Sequence, residues 1–280
     1  MSTKSTIASA RTFLFVPGNR PERFEKAARS GADAIVLDLE DAVPAGAKEM
    51  ARQSVQAAWT SLQALGVPLA IRINSPEVPV GREDLAMVAG LAGLGAVMVP
   101  KAEQAATLRS VAAALPGVPI IPLVESAAGY TGLSDIAAVA GAVRLAIGHI
   151  DFLADTGLQC SGGEPELDPL RFAVAMATRV NNLAPAVDGV TVDIEDADRL
   201  RSDTQRSVRF GFGAKLCIHP KQIPAIHDAF RPSAEQLRWA QRVIEADAAS
   251  QGAAVQVDGR MVDAPVVLQA RRTLARAGQS

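Results

Sequence analysis

Two carboxylates and one guanidinium stand at apolar runs whose neighbours in sequence offer them no partner. In "PIIPLVESAAG" (119–129), Ile120 to Val124 read as a strand buried on both faces, and Glu125 follows directly. Such an acid needs something to compensate its lost hydration. Asp151 follows the next apolar run, "VRLAIG", and Arg72 lies inside "LAIRINS", where an unpaired guanidinium is very costly to bury. Two carboxylates brought side by side repel, which raises one pKa or calls for a cation between them. Three arrangements answer this. A hard divalent ion such as Mg²⁺ is held by one or two carboxylates plus waters and substrate oxygens; otherwise the pair shares a proton, or is salt-bridged to Arg72 or Lys101. Arg72 itself requires an anion, from the protein or from a substrate.

Other apolar runs also end on polar residues: Glu40 and Asp41, Asn74, Lys101, Asp193 with Glu195, and His219. Adjacent acids cannot both cap one helix, so one of Glu40 and Asp41 should face the mouth. Asp193, Glu195 and Asp196 read as capping residues. His219 in "CIHPKQI" should line the mouth or a ligand channel, and His227 reads as an ordinary helix residue. His149, His219 and His227 lack zinc spacing, Cys160 and Cys217 lack C-x-x-C spacing, and no serine sits in a G-x-S-x-G elbow. Pro122 removes a ladder donor inside a central strand, which suggests a bulge that aims Glu125 inward.

The elements that must position these groups alternate. Eight short Val, Ile and Leu-rich runs (12–16, 34–39, 69–73, 96–100, 120–124, 143–148, 189–194 and 214–219) are separated by segments of helical period. With no linker between them, they predict a (β/α)8 TIM barrel over residues 11–230, whose C-terminal strand ends gather at one mouth. Residues 1–10 read as a loose tail, and 231–280 as a C-terminal helical lid or arm reaching a neighbouring subunit. With 28 Lys and Arg against 30 Asp and Glu, no nucleic-acid face is expected, and a small ligand fits better. No run approaches the roughly 18 apolar residues of a membrane span. The first ten residues lack the apolar core of a secretory signal, so a cytoplasmic protein is expected.

"FLFVPGNRPERFEKAARSGADAIVLDLEDAV", "IRINS", "PLVESAAG", "IGHIDFLADTG" and "IHPKQI" together resemble the HpcH/HpaI aldolase and citrate lyase beta-subunit family. The likeness is to stand-alone members similar to malyl-CoA and citramalyl-CoA lyases. It implies a Mg²⁺-dependent carbon-carbon lyase acting on a 3-hydroxyacyl-CoA thioester and releasing an acyl-CoA and a 2-oxo acid, or the reverse condensation. Glu125 and Asp151 match the Mg²⁺ ligands, and Arg72 the residue that grips the substrate's carboxylate. Arg20 and Lys26 match CoA phosphate contacts. Asp263 in "DGRMVDAP" matches a lid acid or base that completes a neighbour's site in a trimer or hexamer, although it could instead cap the following helix. His149 departs from the small or acidic residue expected there, which bears on substrate preference. The resemblance also admits a pyruvate-dependent class II aldolase without CoA, or a non-catalytic subunit of a lyase complex.

Overall fold

Inward residues of all eight strands face one another. Ala34 and Val36, Ala96 and Met98, Ile121 and Leu123, and Ala214 and Leu216 belong to one buried cluster. The computed structural model describes residues 6–278. They fall into two compact units, one running to Ile226 and one from His227 onward.

The first unit is a (β/α)8 barrel: β1 to β8 pair in parallel, each with the next, and β8 returns to β1. Its first half is β1 (Thr12–Pro17), α1 (Phe24–Ala28), β2 (Ala34–Asp38), α2 (Lys48–Ala64), β3 (Leu69–Arg72), α3 (Pro79–Ala89), β4 (Ala96–Val99) and α4 (Ala105–Ala114). The second half is β5 (Ile120–Val124), α5 (Ala127–Thr131), α6 (Leu133–Ala137), β6 (Ala146–Ile147), α7 (His149–Thr156), α8 (Asp168–Val180), β7 (Val187–Asp188), α9 (Ala197–Arg209) and β8 (Ala214–Cys217), closed by α10 (Gln222–Phe230). Small inward residues, among them Ala34, Ala70, Ala146 and Ala214, share that interior with Phe13, Met98 and Leu123.

Three expectations need correction. The seventh strand is Val187–Asp188, and 189–196 form a loop with Val192 exposed, so the apolar alternation there describes loop residues and Asp193 and Glu195 end no strand. Pro122 makes no bulge: Val97, Met98 and Val99 pair with Ile120, Ile121 and Pro122 without a break. Residues 6–10 are not loose, whereas 1–5 lie outside the described residues. Ile7 and Ala10 are buried in the barrel cluster, and Arg144 holds them there. Arg144 Nη1 donates to the carbonyls of Ile7 at 2.9 Å and Ala10 at 2.8 Å, its Nε and Nη2 donate to Pro185 O, and its guanidinium lies 5.3 Å from the Phe13 ring centroid.

In the second unit, α11 (Ala234–Ala249) starts at a capping box of Ser233 and Gln236 and packs on α12 (Ala264–Ala277) through Ala240, Val243, Val267 and Ala270. Between them lies an antiparallel hairpin, β9 (Val255–Val257) and β10 (Arg260–Val262), which the reading of a helical lid or arm did not include. Asp258 and Gly259, both with positive φ, turn it, as an Asp-Gly pair does in tight hairpins. Among the described residues no helix is long and apolar enough to cross a membrane.

Replacing the buried Arg144 by Leu leaves backbone carbonyls without donors, and should cost about 2–4 kcal/mol in urea unfolding. A loss well under 1 kcal/mol would show that the 6–10 segment is not held by this side chain.

Candidate functional site

The period of β2 carries a charge into the barrel. Ala34 and Val36 face the interior, and Asp38, two residues on, follows them; Arg72 does the same after Ala70 on β3. The register pairs Asp38 with Arg72 directly. Arg72 Nε donates to Asp38 Oδ1 at 2.7 Å and Nη2 to Oδ2 at 2.6 Å, a two-pronged bond with Asp38 wholly buried and Arg72 9% exposed. Its Nη1 lies 2.9 Å from Glu40 Oε2, an ion pair that lacks hydrogen-bond alignment, and 3.9 Å from Asp41 Oδ2. The Phe15 ring centroid is 4.8 Å from the guanidinium carbon. Burial works against the charge of Arg72, but the bonds and charge of Asp38 with Glu40 and Glu125 outweigh it and hold the pKa above its ordinary value. Of the two adjacent acids, Glu40 is buried and Asp41 exposed.

Two further side chains fix the loops around this pair. Lys48 Nζ donates to Leu39 O, Glu40 O and Asn74 Oδ1 at 2.7–2.8 Å. Asn74 donates from its backbone and side chain to Asp84 Oδ2, at 2.8 and 2.6 Å, and Arg52 Nη1 reaches the other Asp84 oxygen at 3.1 Å. A carboxylate from α3 thereby ties the end of β3 to α2.

Glu125 stands just past β5, in phase with Ile121 and Leu123, and is 2% exposed. Its Oε1 accepts the Lys101 N–H at 2.7 Å, while Oε2 is buried with no hydrogen-bond partner. Gly148, at the end of β6, packs against that oxygen so closely that a Cβ there would collide with it. Desolvation pushes Glu125 up to about 8, helped by the charges of Glu40 and Asp151 and opposed by the Lys101 N–H. Asp151 is thus near enough to be felt, from the first turn of α7 rather than from a strand end. Desolvation also raises Glu40, to about 6. Lys101 Nζ donates to Glu40 Oε1 at 3.3 Å, and the attraction of Glu40 and Glu125 outweighs burial to raise the Lys101 pKa.

The structure therefore brings Arg72, Glu40, Glu125 and Asp151 together. Asp38 and Lys48, not singled out in the sequence, and Lys101, named there only as a possible salt-bridge partner, complete the cluster. Asp38 was readable from the strand period and Lys101 stood at a strand end, whereas Lys48 reaches the site from α2 with no local signal. Arg20 and Lys26 are exposed, beside and on α1, with Arg20 Nε on Glu22 at 2.6 Å. His219 Nδ1 accepts the Lys221 N–H, and the buried Gln222 bridges its loop to Thr191 O. Of the three acids expected to cap, Asp196 does so, accepting the Arg199 N–H at the start of α9; Asp193 instead accepts from Glu195 and Asp196 N–H within the preceding loop, and Glu195 pairs with Lys221 Nζ at 2.6 Å. Asp263 caps α12 inside the second unit, its Oδ1 3.4 Å from Val266 N.

A second ionic cluster, unforeseen in the sequence, surrounds Glu164. Arg171 and Arg206 each reach its Oε2 at 2.9 Å and Arg199 its Oε1 at 2.8 Å, with His149 Nε2 at 4.0 Å. Arg171 also approaches Asp188 at 3.5 Å, whose strand partner Lys215 donates to Gly189 O at 2.6 Å. Burial lowers both His149 and Lys215. Asp188 and Lys215 are out of phase with the inward Val187, Ala214 and Leu216, so this cluster lies between barrel wall and helices. A cavity of about 430 Å³ lined by Gly163, Pro165, Arg206 and Phe210 adjoins it and shares no residue with the Arg72–Glu125 cluster.

Residues 11–220 match the sequence profile of the HpcH/HpaI aldolase/citrate lyase family. A citrate lyase subunit beta-like protein of Mycobacterium tuberculosis is 35% identical, over 98% of this chain and 97% of its own length. A (3S)-malyl-CoA thioesterase of Cereibacter sphaeroides is 32% identical, over 95% and 94%. Among solved structures, the M. tuberculosis CitE protein in complex with magnesium, acetoacetate and coenzyme A superposes with a TM-score of 0.85 at 34% identity. That match covers 97% of this chain and 100% of the other.

Between its ordinary 4.5 and about 8, the folded chain keeps a proton on Glu125 that the unfolded chain has lost, so stability falls as pH rises through this window. Glu40 adds the same sign up to about 6. In chelator-treated protein, the loss from pH 5 to 9 should be steeper than in Glu125→Gln by about 2–4 kcal/mol, read from thermal and urea unfolding. Equal slopes would mean that Glu125 is ionised throughout.

Proposed function

The chain belongs to the HpcH/HpaI aldolase/citrate lyase family, and from that premise we propose that it cleaves or forms the carbon-carbon bond of a 3-hydroxyacyl-CoA thioester of malyl, citramalyl or citryl type. The products in the cleavage direction are an acyl-CoA and a 2-oxo acid. One observation carries this reading. A buried carboxylate oxygen without a partner, Glu125 Oε2, stands in the same mouth as a guanidinium that Asp38 holds rigid.

The residues fit a divalent cation. Among the described residues no group of three His, Cys, Asp or Glu is arranged to hold one, but Mg²⁺ needs only one or two carboxylates and completes its shell with water and substrate oxygens. Glu125 and Asp151 are the residues that would hold it. Bound there, Mg²⁺ supplies Lewis-acid polarisation of a substrate oxygen.

The chain's own groups do the rest. Arg72, locked by Asp38, presents Nη1 to the substrate's carboxylate and to the oxygen on which charge develops. Glu40 beside it holds the guanidinium in place and keeps a second anionic edge on the mouth. Asp263, reaching the site of a neighbouring subunit, carries the proton returned to the carbon next to the thioester. Arg20 and Lys26, both exposed, take the CoA phosphates as charge-assisted contacts. The working assembly is a homo-oligomer, for which light scattering should give a trimer or hexamer.

Malyl-, citramalyl- and citryl-CoA should each be assayed with Mg²⁺ and with chelator for release of glyoxylate, pyruvate or oxaloacetate. Glu125→Gln should abolish Mg²⁺ binding by calorimetry, and Arg72→Lys should lower turnover on the order of a hundredfold or more. Parent-like metal binding and rate in Glu125→Gln would sink the assignment. The thioesterase relative favours a second reading, hydrolysis of the thioester, for which free CoA and a hydroxy acid would be the products.

Asp263 has both a cap and a proposed proton to carry, and two variants separate them. Asp263→Asn retains the cap and Asp263→Ala does not. Both should lose turnover, whereas Ala alone should also lose about 1 kcal/mol of stability. Full activity in Asp263→Asn would leave Asp263 with the cap alone.

A further inference from the structure

Lys101 follows β4 and Pro100 with a φ of +46°, in the left-handed region that a side chain with a Cβ seldom enters. The departure is one residue wide, because Ala102 N–H resumes the ladder to Leu123 O at 3.1 Å. Residues in this conformation persist where their surroundings require them, and they concentrate at functional sites. Here the turn serves two bonds to two different acids. The Lys101 backbone N–H meets Glu125 Oε1 at 2.7 Å, and its Nζ meets Glu40 Oε1 at 3.3 Å. Glu40 is buried and its other oxygen lies beside Arg72, so it is drawn to the Arg72 side of the mouth. Its charge is nonetheless felt at Glu125.

On the reading that Glu125 and Asp151 hold a divalent cation, we propose that Lys101 is a positioning residue that limits the carboxylates reaching that cation. Its amide occupies one oxygen of Glu125, and its ammonium keeps Glu40 from becoming a third ligand. The limit has a chemical purpose. Mg²⁺ with few protein carboxylates keeps positions for substrate oxygens, whereas a third carboxylate would fill one of them and suit the larger, more richly coordinated Ca²⁺. Lys101 is thus a determinant of metal selectivity as well as of open coordination.

Calorimetry on chelator-stripped full-length protein, with Mg²⁺ or Ca²⁺ as titrant, tests this without relying on turnover. Lys101→Met keeps the backbone amide and the length of the stem but removes the ammonium. It should bind Ca²⁺ about tenfold or more tighter than the parent, with a smaller gain for Mg²⁺. Lys101→Arg should restore the parent preference. In a Glu40→Gln background the Lys101→Met gain should vanish, since the freed ligand is then missing. Damage to packing would weaken both cations instead. A parent that folds and binds neither cation removes the metal reading itself. A parent that binds, with Lys101→Met unchanged or weaker, or with a gain that survives Glu40→Gln, overturns the role of Lys101 and leaves the metal reading standing. If Lys101→Met does not fold, Lys101→Gln carries the same comparison.

Discussion

A buried guanidinium on β3 and a buried carboxylate on β2 constrain everything at the mouth of this barrel. Such a pair tolerates no slack: desolvation of two ions costs several kcal/mol each, and only good geometry with every remaining atom satisfied offsets it. Neighbouring parallel strands provide that geometry because Asp38 and Arg72 are register partners, so the backbone ladder itself delivers the two prongs of the bond. Two backbone N–H groups, from Glu40 and Ala42, complete the Asp38 carboxylate. The loop after β2 is therefore folded around the same acid that orients Arg72, and Glu40 takes its place in consequence.

The rest of the mouth follows from how much charge can be buried there. Asp38, Glu40 and Glu125 face inward against Arg72 and Lys101, with Lys48 below the loop. The balance leaves Glu125 short of compensation, and burial pushes its carboxyl up; Asp38 takes two of the guanidinium's donors and Glu40 lies beside the third nitrogen. An inward acid with one oxygen anchored and the other unpartnered is a site prepared for a cation or a proton.

Much of this was legible in the amino-acid order, and the failures are physical. The fifth strand and Glu125 were readable because an apolar run that stops on an acid has few interpretations. The requirement of Arg72 for an anion, from the protein or a substrate, was readable too, yet the acid itself was not identified, when counting by twos from Ala34 would have put Asp38 inside. The seventh strand was misplaced because Val190, Val192 and Ile194 alternate as a strand would, although pairing with β8 stops at Asp188. Glu164 and its arginines were invisible: their partners lie on α8 and α9, and no local pattern announces a carboxylate that collects cations from two helices. The hairpin of the second unit did carry its signal, an Asp-Gly pair between short apolar alternations, but the strands on either side of that turn were not recognised.

The strands also divide by the side on which their ions face. On β2, β3 and just past β5, Asp38, Arg72 and Glu125 are in phase with the interior, and on β7 and β8 Asp188 and Lys215 are out of phase and meet the helices. Yet each set contains a pair of register partners, Asp38 with Arg72 and Asp188 with Lys215, all four buried. Removing one member of either pair strands a charge in a place water does not reach, whichever side of the wall it faces. On both sides of the barrel, the low-cost substitution is the joint one.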